Sequence, residues 1–296
     1  MKKWSASRAP SGRVAYVDGR YLPHGKARVH VEDRSLQLGD GIYEVTAVAQ
    51  GRPVDEEGHL DRLERSLGEI GMAMPIGRRA LKLVMREMIA RNRLKDGLLY
   101  MQVSRGAVKR DHPIPATVPR PSLIMTARGQ DPRVTTKKRE QGIAVITRPD
   151  QRWARRDIKT VQLLPNLLAK TEARRQGAYE AWLVDPDGFV TEGTSTTAWI
   201  VDEKGDIVTR PLSNDILPGV TRRVILEAAE GAQLKIVERK FSVAEARNAR
   251  EAFISSASGA AISVVCVDGV EIGDGKPGPL ARRLYELYAE KAGIAD

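Results

Sequence analysis

One segment of the chain, residues 128–141, limits the ways in which this protein can fold. It is dense in charged residues and in Pro, Gly and Thr, and it separates two longer stretches with regular patterns of apolar residues. Segments of this composition join domains, and a chain of 296 residues is long enough for two of them. We therefore predict a smaller N-terminal domain over 14–127, an interdomain connection over 128–141 and a larger C-terminal domain over 142–296.

The first of the two stretches begins after a polar segment. Residues 1–13 contain a proline and few apolar side chains, so they are predicted to be disordered, with the fold starting at Val14. Residues 42–48 alternate in polarity as a half-buried strand does, and this pattern puts Tyr43 and Val45 on the same face.

Two helices are predicted in the same stretch. An apolar stripe over 59–70 has Arg62 at its edge, so this arginine is expected to point into the protein. A second amphipathic pattern covers 78–92, and strands are predicted over 98–103 and 122–126. The N-terminal domain is therefore expected to be of the α/β type.

The second stretch is richer in strands. Short strands are predicted at 142–147, 180–184, 188–191 and 196–201. Turn-forming residues between them favour an antiparallel, barrel-like sheet. Pro165 suits the first turn of a helix, and Ser242 with Glu245 forms a capping box for another. The single Cys266 lies among valines, so it is predicted to be a buried strand thiol without a disulfide or a metal ion.

The net charge of +10 bears on possible partners. Basic residues are interspersed with acids instead of forming a tail, so small anions such as carboxylates and phosphates are favoured over nucleic acid. No run of about 18 apolar residues predicts a membrane span, and the first residues lack the apolar core of a secretion signal. We therefore expect a cytoplasmic protein that binds neither membrane nor nucleic acid.

Lys159 is the residue best suited to carry chemistry. Its neighbours are apolar, namely Ile158 before it and Leu163, Leu164, Leu167 and Leu168 after it. A lysine held against apolar surface loses its proton more readily than one in water, and the neutral amine attacks carbonyl carbons. Lys159 is therefore predicted to be a covalent catalyst. The alternative is a solvated surface lysine, as most of the 48 Lys and Arg residues must be.

Several other residues are candidates for binding anions. Arg110 and His112 are two apart, so on an extended backbone they would share one side and form a carboxylate clamp; the alternative is a solvated basic loop. A Pro-Gly turn opens a helix predicted over 221–231, whose first backbone N–H groups suit a phosphate, as those of any helix start do. Ser256 belongs to a run of small hydroxyl residues that would add donors to the same anion.

Five motifs occur in a fixed order: GDGIYE at 39–44, HLDRL at 59–63, DIKT at 157–160, TEGTS at 191–195 and LPGVTR at 217–222. In order and spacing they resemble the fold-type IV pyridoxal-phosphate aminotransferases, over nearly the whole chain. The resemblance implies a two-domain α+β fold with a smaller α/β N-terminal domain and a larger pseudo-barrel C-terminal domain. The Arg-Asp-His sequence at 110–112 is most similar to family members that act on D-amino acids.

The resemblance also implies residue roles. Lys159 would bind the aldehyde of pyridoxal 5′-phosphate and move the proton at the substrate α-carbon, while Glu192 would pair with the ring nitrogen and Leu217 would pack against the ring. The cofactor phosphate is assigned to Arg62, Val220, Thr221 and Ser256. The substrate carboxylate is assigned to Tyr43, Arg110 and His112.

The implied activity is a ping-pong Schiff-base transamination, carried out by a homodimer, from D-alanine or another D-amino acid to 2-oxoglutarate or pyruvate. The chain departs from the family pattern at Ala257, where a threonine is frequent near the phosphate. Leu164 stands where branched-chain aminotransferases usually have a tyrosine, which argues against that subgroup. A branched-chain L-aminotransferase and an aminodeoxychorismate lyase on the same fold remain alternatives, as does a basic binding protein without enzymatic activity.

Overall fold

The computed structural model describes residues 12–117 and 119–294. The chain divides into two compact units, Met1–Gln130 and Asp131–Asp296, and the division falls inside the segment predicted to connect two domains. Most of that segment is an ordered helix, begun by an Asp131 N-cap and a proline in its first turn. The predicted disorder of residues 1–13 concerns mainly residues 1–11, which lie outside the described residues.

Among its described residues, 12–117 and 119–130, unit 1 contains one sheet and three α-helices. Its strands are β1 (Val14–Val17), β2 (Arg20–Pro23), β3 (Gly41–Ala49), β4 (Arg52–Pro53), β5 (Gly97–Ser104) and β6 (Ser122–Gly129). Its helices are α1 (Arg34–Leu38), α2 (Glu56–Glu69) and α3 (Arg78–Arg91), with a 3-10 turn at His24–Lys26. The sheet order is β2-β1-β6-β5-β3-β4, and all its neighbouring strands are antiparallel.

The apolar patterns of unit 1 explain how it packs. Helix α2 lies against β3 and buries Leu60, Leu63 and Leu67 almost completely. Each such leucine stabilises the fold by roughly 2 kcal/mol relative to leaving it in water. Arg62 is on the same inner side and is buried, as its place at the edge of the stripe predicted. The predicted strand at 42–48 is confirmed as β3, with Tyr43 on the half-buried face.

Over residues 131–294, the part of unit 2 that the structure describes, the chain forms a larger sheet and five helices. Its strands are β7 (Ile143–Pro149), β8 (Glu180–Val184), β9 (Val190–Gly193), β10 (Thr197–Val201), β11 (Ile207–Thr209), β12 (Ile236–Glu238), β13 (Glu251–Ser256), β14 (Ala260–Val267) and β15 (Val270–Glu271). Its helices are α4 (Pro132–Gln141), α5 (Leu164–Arg175), α6 (Val220–Gly231), α7 (Val243–Arg247) and α8 (Pro279–Lys291). The order is β12-β11-β10-β13-β14-β7-β8-β9, and β15 pairs with β14.

The expectation of an antiparallel sheet in unit 2 is wrong in part, because the sheet is mixed. Strand β7 is parallel to both β8 and β14, and β11 is parallel to β12. Parallel neighbours need a long crossover, and the chain supplies one through α5 between β7 and β8 and another through α6 between β11 and β12. The two-domain α+β fold expected from the resemblance is confirmed.

Smaller local predictions had mixed outcomes. The capping box of Ser242 and Glu245 is formed at the start of α7, and Pro165 lies in the first turn of α5. Cys266 lies in β14 as expected, but it is half-buried instead of buried. Within residues 12–117 and 119–294, no helix combines the length and the apolar character needed to cross a membrane.

Candidate functional site

The centre of the candidate site in unit 2 is Glu192 on β9. Its side chain is 7% exposed, and its carboxylate accepts hydrogen bonds from the Nη1 atom of Arg152 and from the backbone N–H of Leu217. The Leu217 bond is long and shared between the two carboxylate oxygens, at 3.3 and 3.2 Å. Among the described residues, Glu192 Oε2 receives no other donor, although a carboxylate oxygen can accept two.

Burial raises the pKa of the Glu192 carboxyl, and the charge and hydrogen bond of Arg152 offset only part of this rise. A carboxylate removed from water favours its neutral form unless a cation compensates for the lost hydration. A second cation at the Oε2 atom of Glu192 would therefore stabilise the ionised form of this carboxylate.

Arg152 is itself held by a second buried carboxylate, Asp150. Its Nε atom donates to Asp150 Oδ1 at 2.9 Å and its Nη2 atom to Oδ2 at 2.7 Å, while the Thr191 hydroxyl donates to the same Oδ2 at 2.8 Å. Burial by itself would raise the pKa of Asp150, but the hydrogen bond and charge of Arg152 hold it below its ordinary value. One guanidinium group thus serves two carboxylates.

Ion pairs continue from Asp150 into a larger network. It contains Glu192, Asp150, Asp215, Asp185, Arg152, Arg156 and Arg210. Four carboxylates and three guanidinium groups leave one net negative charge. The Asp215 side chain is 40% exposed, whereas Asp185 accepts bonds from Arg210 and from backbone N–H groups. Glu192 is therefore a buried carboxylate of this network whose one cationic contact among the described residues, Arg152, is shared with Asp150.

Lys159 lies between two buried residues, Ile158 and Thr160, and is itself half-buried. The leucines that follow it do not form the apolar surroundings that the sequence predicted. Leu164, Leu167 and Leu168 are 66%, 58% and 61% exposed on α5. The lysine segment instead approaches the loop before α6, because the Arg156 N–H donates to the Asn214 carbonyl at 2.9 Å.

The helix whose start was predicted to bind an anion is present as α6. The helix begins at Val220, its N-cap is Gly219, and no side chain caps its first N–H groups. Val220 and Thr221 are both buried. Val220 is three residues after Leu217, whose N–H reaches Glu192, so the helix end is within about 10 Å of that N–H.

The serine run lies at the end of β13. Ser256 and Ser258 have their hydroxyl oxygens 3.3 Å apart, while Ser255 accepts a bond from the indole N–H of Trp199 inside the sheet. Ala257, which lies between Ser256 and Ser258, has no hydroxyl. Donors on this loop are therefore limited to the two outer hydroxyls and the backbone.

Unit 1 contains a separate buried cluster around Glu44 on β3. Arg62 donates to both oxygens of this carboxylate, at 2.7 and 2.8 Å, and His59 Nδ1 lies 2.8 Å from Oε2. Because a carboxylate only accepts, His59 carries its hydrogen on Nδ1. His59 and Arg62 are three apart on α2, which brings both side chains to one face. This cluster fixes the position of the arginine.

Tyr43 is next to Glu44 on the other face of β3. Its ring stacks on that of Tyr100, with centroids 5.8 Å apart. The Tyr100 hydroxyl donates to Gln102 at 2.6 Å, and burial raises the pKa of Tyr100 to about 12. Tyr43 therefore stands on a rigid aromatic support.

Arg110 and His112 are exposed, on a segment that bends at His112 and so is not an extended strand. The buried Arg34 donates to the carbonyl of Asp111 at 2.9 Å and to that of His112 at 3.3 Å. Consecutive carbonyls of a strand point in opposite directions, so two bonds to one guanidinium require a curled backbone. The alternation on which the clamp was predicted therefore does not apply, although both residues lie on a single anchored loop.

Arg34 is held in turn by Asp40, which precedes β3. The Arg34 Nε atom is 2.7 Å from Asp40 Oδ2, and Arg105 Nε is 2.8 Å from the same oxygen. Burial favours the neutral form of Asp40, but the two arginines lower its pKa below the ordinary value. The loop at 110–112 is thus tied to the start of the strand that carries Tyr43.

The donor set of unit 2 fits pyridoxal 5′-phosphate. A buried carboxylate whose Oε2 atom accepts one long hydrogen bond suits a protonated ring nitrogen, a helix end without a side-chain cap suits a phosphate, and Lys159 suits an aldehyde. Within residues 12–117 and 119–294, no group of three or more His, Cys, Asp or Glu side chains is arranged to hold a metal ion. The fold and this site together define a fold-type IV pyridoxal-phosphate enzyme.

Comparison with known proteins identifies the family. The model of the amino-transferase class IV family matches residues 41–266, and the chain belongs to that family. It is therefore a pyridoxal-phosphate-dependent aminotransferase.

Individual relatives agree with this assignment. The chain is 36% identical over 267 residues to a D-alanine aminotransferase of Bacillus licheniformis, covering 90% of this chain and 93% of the relative. It superimposes on a branched-chain amino acid aminotransferase of Escherichia coli with a TM-score of 0.86, 24% identity and 96% coverage of each chain. It also matches a hypothetical aminotransferase from Mycobacterium tuberculosis in its PLP-bound form, with a TM-score of 0.81, 25% identity and coverage of 94% and 98%.

Sequence reasoning missed the residues that support the site. Arg152 contacts both Glu192 and Asp150, and neither Arg152 nor Asp150 was predicted to belong to the site. Glu44 and Arg34 were not singled out either. The available signal was the density of charge around 148–157, just before Lys159. Charge density indicates neither burial nor partners, so the pairs became visible only in the fold.

Proposed function

We propose that the protein transfers the amino group of D-alanine or another D-amino acid to a 2-oxo acid such as 2-oxoglutarate or pyruvate. The observation that carries the proposal is the 36% identity, over nine tenths of both chains, to a protein named D-alanine aminotransferase. The likeness to branched-chain enzymes is at 24% identity and concerns the fold.

In this proposal the cofactor is pyridoxal 5′-phosphate, and it is held by the residues that the resemblance assigns to it. When bound, pyridoxal 5′-phosphate supplies an aldehyde carbon and a ring that accepts the electrons left when a proton leaves the substrate α-carbon. Glu192 holds a proton at the ring nitrogen, and the Leu217 side chain packs against the ring. We assign the phosphate to Arg62, Val220, Thr221 and Ser256.

Lys159 has two tasks in the proposal. Its Nζ atom would hold the cofactor through the aldehyde, and the Lys159 amine would move the proton of the substrate α-carbon. The half-buried position of Lys159 between Ile158 and Thr160 supports this role, because the backbone on both sides is held in the interior. The side chain therefore starts from a fixed base.

Tyr43, Arg110 and His112 are proposed to bind the substrate α-carboxylate. A tyrosine hydroxyl, a guanidinium and an imidazole offer several donors to one carboxylate, which orients it as well as binding it. The anchoring of the 110–112 loop by Arg34 supports this assignment, because a clamp on a mobile loop would orient nothing. Orientation of the carboxylate decides which face of the α-carbon presents its hydrogen to Lys159.

The function is tested by supplying D-alanine and 2-oxoglutarate to the purified protein and measuring the pyruvate released. We expect pyruvate from D-alanine and no 2-oxo acid from L-leucine. Lys159→Ala should lower the rate by about a thousandfold or more, since the variant lacks the amine that moves the proton. Lys137→Ala, an exposed lysine of α4, is the matched control and should behave as wild type. Release of product from L-leucine but not D-alanine would refute the proposal.

We further propose a homodimer that uses the exposed leucines of α5. Leu164, Leu167 and Leu168 are spaced so that they share one helix face, and such an apolar face is stabilised by burial against a second copy. Cytoplasmic location and the absence of a nucleic-acid partner stay predictions from the sequence.

Light scattering after size exclusion tests the dimer. Wild type should have twice the chain mass of 32.6 kDa, and Leu167→Glu should shift it to the monomer. Leu83→Glu on α3 replaces an equally exposed leucine, at 59%, that is not part of the α5 face, and should leave the dimer intact. A wild-type monomer, or a Leu167→Glu dimer, would contradict the proposal.

A further inference from the structure

Arg152 is shared between two carboxylates that are both removed from water. Its Nη1 atom contacts Glu192, and its Nε and Nη2 atoms contact Asp150 at 2.9 and 2.7 Å. The exposed fractions of the three side chains are 9% for Arg152, 7% for Glu192 and 0% for Asp150. All three groups therefore interact at short range and with little screening by solvent.

The two carboxylates depend on Arg152 to different degrees. Asp150 also accepts a bond from the Thr191 hydroxyl at 2.8 Å and lies 3.5 Å from Arg156 Nε. For Glu192, Arg152 is the one cation in contact among the described residues, and the long bond from the Leu217 N–H is the other support. Loss of Arg152 would thus leave Asp150 with Thr191 and Arg156 as partners, whereas Glu192 would keep only the long bond from the Leu217 N–H among the described residues.

A purely structural ion pair explains this arrangement poorly. Buried ion pairs are expensive in desolvation and stabilise a fold only when their remaining lone pairs are also satisfied. Here Glu192 Oε2 has a single long donor, and the network to which it belongs carries one net negative charge. An incompletely compensated buried carboxylate is an arrangement suited to receiving a cation from a ligand.

We propose that Arg152 is a positioning residue for the cofactor. Clamped by Asp150, it keeps the buried Glu192 ionised and occupies Oε1, so that Oε2 is left for the protonated ring nitrogen. Asp150 weakens the interaction of Arg152 with Glu192, because its own negative charge offsets part of the arginine's positive charge. Glu192 therefore still binds a proton donor strongly. The inference rests on the assignment of Glu192 to the ring nitrogen made above, and it adds the two residues that control that carboxylate.

The geometry leads to opposite effects for two substitutions. Arg152 stabilises the ionised form of Glu192, and Asp150 destabilises it through charge repulsion. Arg152→Gln should therefore raise the pH at which Glu192 loses its proton. Asp150→Asn should lower it, because Arg152 would then act on Glu192 alone. A role limited to holding the fold together would not produce shifts of opposite sign.

The experiment titrates Glu192 directly in the full chain without cofactor. The side-chain carboxyl carbons of 13C-labelled glutamate are followed by NMR against pH, and the Glu192 signal is identified by its loss in Glu192→Gln. We expect the midpoint to rise by about one pH unit or more in Arg152→Gln and to fall in Asp150→Asn. Arg148→Gln, which removes a surface partner of Glu172, is the control and should leave the midpoint unchanged.

Binding of 4′-deoxypyridoxine 5′-phosphate provides a second readout. This probe has no aldehyde, so it cannot bond to Lys159, and its affinity reports the ring and phosphate contacts alone. At neutral pH, Arg152→Gln should weaken its binding about tenfold, as expected for one lost interaction with a charged group. Arg152→Lys keeps the positive charge but not the planar guanidinium group. In the NMR titration, the midpoint of Glu192 in this variant should therefore lie between those of wild type and Arg152→Gln.

Shifts of the same sign in Arg152→Gln and Asp150→Asn, or no shift in either, would overturn the inference. If Arg152→Gln fails to fold by circular dichroism, Asp150→Asn and Arg152→Lys still decide the matter, because each predicts its own direction. The titration needs neither cofactor nor substrate. A failure of the D-alanine assay would therefore be distinguishable from a failure of this inference.

Discussion

Each of the two units of the protein buries a glutamate against an arginine, and the two pairs behave in opposite ways. Glu44 in unit 1 and Glu192 in unit 2 are both almost completely removed from solvent. Burial alone would raise the pKa of each. The pKa of Glu44 is instead held well below its ordinary value, while that of Glu192 lies above it.

The number of donors and the competition for them explain this difference. Glu44 receives two bonds from Arg62 and one from His59. Glu192 receives one bond from an arginine that is mainly engaged by Asp150. A buried carboxylate is therefore stably ionised when a guanidinium donates to both of its oxygens. When the guanidinium also binds a second carboxylate, the ionised form is stabilised less, and a further cation can stabilise it more.

The largest effect is expected from Glu44→Gln, which removes the charge of the carboxylate that binds Arg62 through both oxygens. The Arg62 guanidinium would lose the buried carboxylate that accepts two of its hydrogen bonds, so the free energy of unfolding should fall by about 3–5 kcal/mol. Denaturant unfolding monitored by circular dichroism measures it. Glu57→Gln is the matched control, because Glu57 pairs with Arg78 and Lys82 at the surface, and its stability should equal that of wild type. Equal stabilities of Glu44→Gln and Glu57→Gln would refute the comparison.

A smaller effect is expected from Arg34→Gln, which tests the reverse arrangement, a carboxylate shared by two arginines. Asp40 would keep Arg105, but the carbonyls of Asp111 and His112 would lose their donor. We expect the KM for D-alanine to rise about tenfold with a smaller change in kcat, because a charged donor to the loop is lost. Steady-state kinetics measure both constants.

Arg28→Gln is the control for Arg34→Gln. Arg28 also donates to backbone carbonyls, those of Gly25 and Ala27, but on an exposed turn away from the 110–112 loop. Its KM should match that of wild type. A KM unchanged in Arg34→Gln as well would show that the loop does not depend on this anchor.

The smallest effect is expected from Glu192→Gln in the protein without cofactor. Because the folded pKa of Glu192 is raised, its contribution to stability is lost as pH rises from about 4.3, the ordinary value, through the folded pKa. Glu192→Gln should therefore be slightly more stable than wild type at neutral pH and equal to it below about pH 4.

The same pH series sharpens the contrast with Glu44. Its folded pKa is lowered, so its contribution is present at neutral pH and lost as pH falls below about 4.3. The stability differences from wild type for Glu44→Gln and Glu192→Gln should thus have opposite signs at pH 7. Chemical denaturation at several pH values measures both, and differences of equal sign would contradict the contrast.

Much of the local structure could be predicted from the sequence. The strand at 180–184 was predicted with the bounds it has, and the first-turn Pro165 and the capping box of Ser242 are where the pattern placed them. These features depend on neighbouring residues alone, through side-chain periodicity and backbone restriction. The helix α4 was missed because a single short, highly charged helix has no apolar stripe to reveal it.

The supporting contacts of the candidate site could not be predicted in this way. Arg152 and Glu192 are 40 residues apart, and Arg34 reaches a carbonyl 77 residues away. The leucines after Lys159 were also predicted incorrectly. An apolar run predicts burial but does not indicate what covers it, and these leucines are exposed on α5.

The sequence by itself determined the family, many of the strands and helices and the candidate cofactor residues, because motif spacing and apolar periodicity are properties of the chain. Only the tertiary structure decided which arginine serves which carboxylate. Lys159 and Glu192 stand out as motif residues, yet the ionisation of Glu192 depends on a guanidinium shared with Asp150. Burial and competition for a donor arise when distant segments pack together, and this packing determines how strongly a buried charge is compensated.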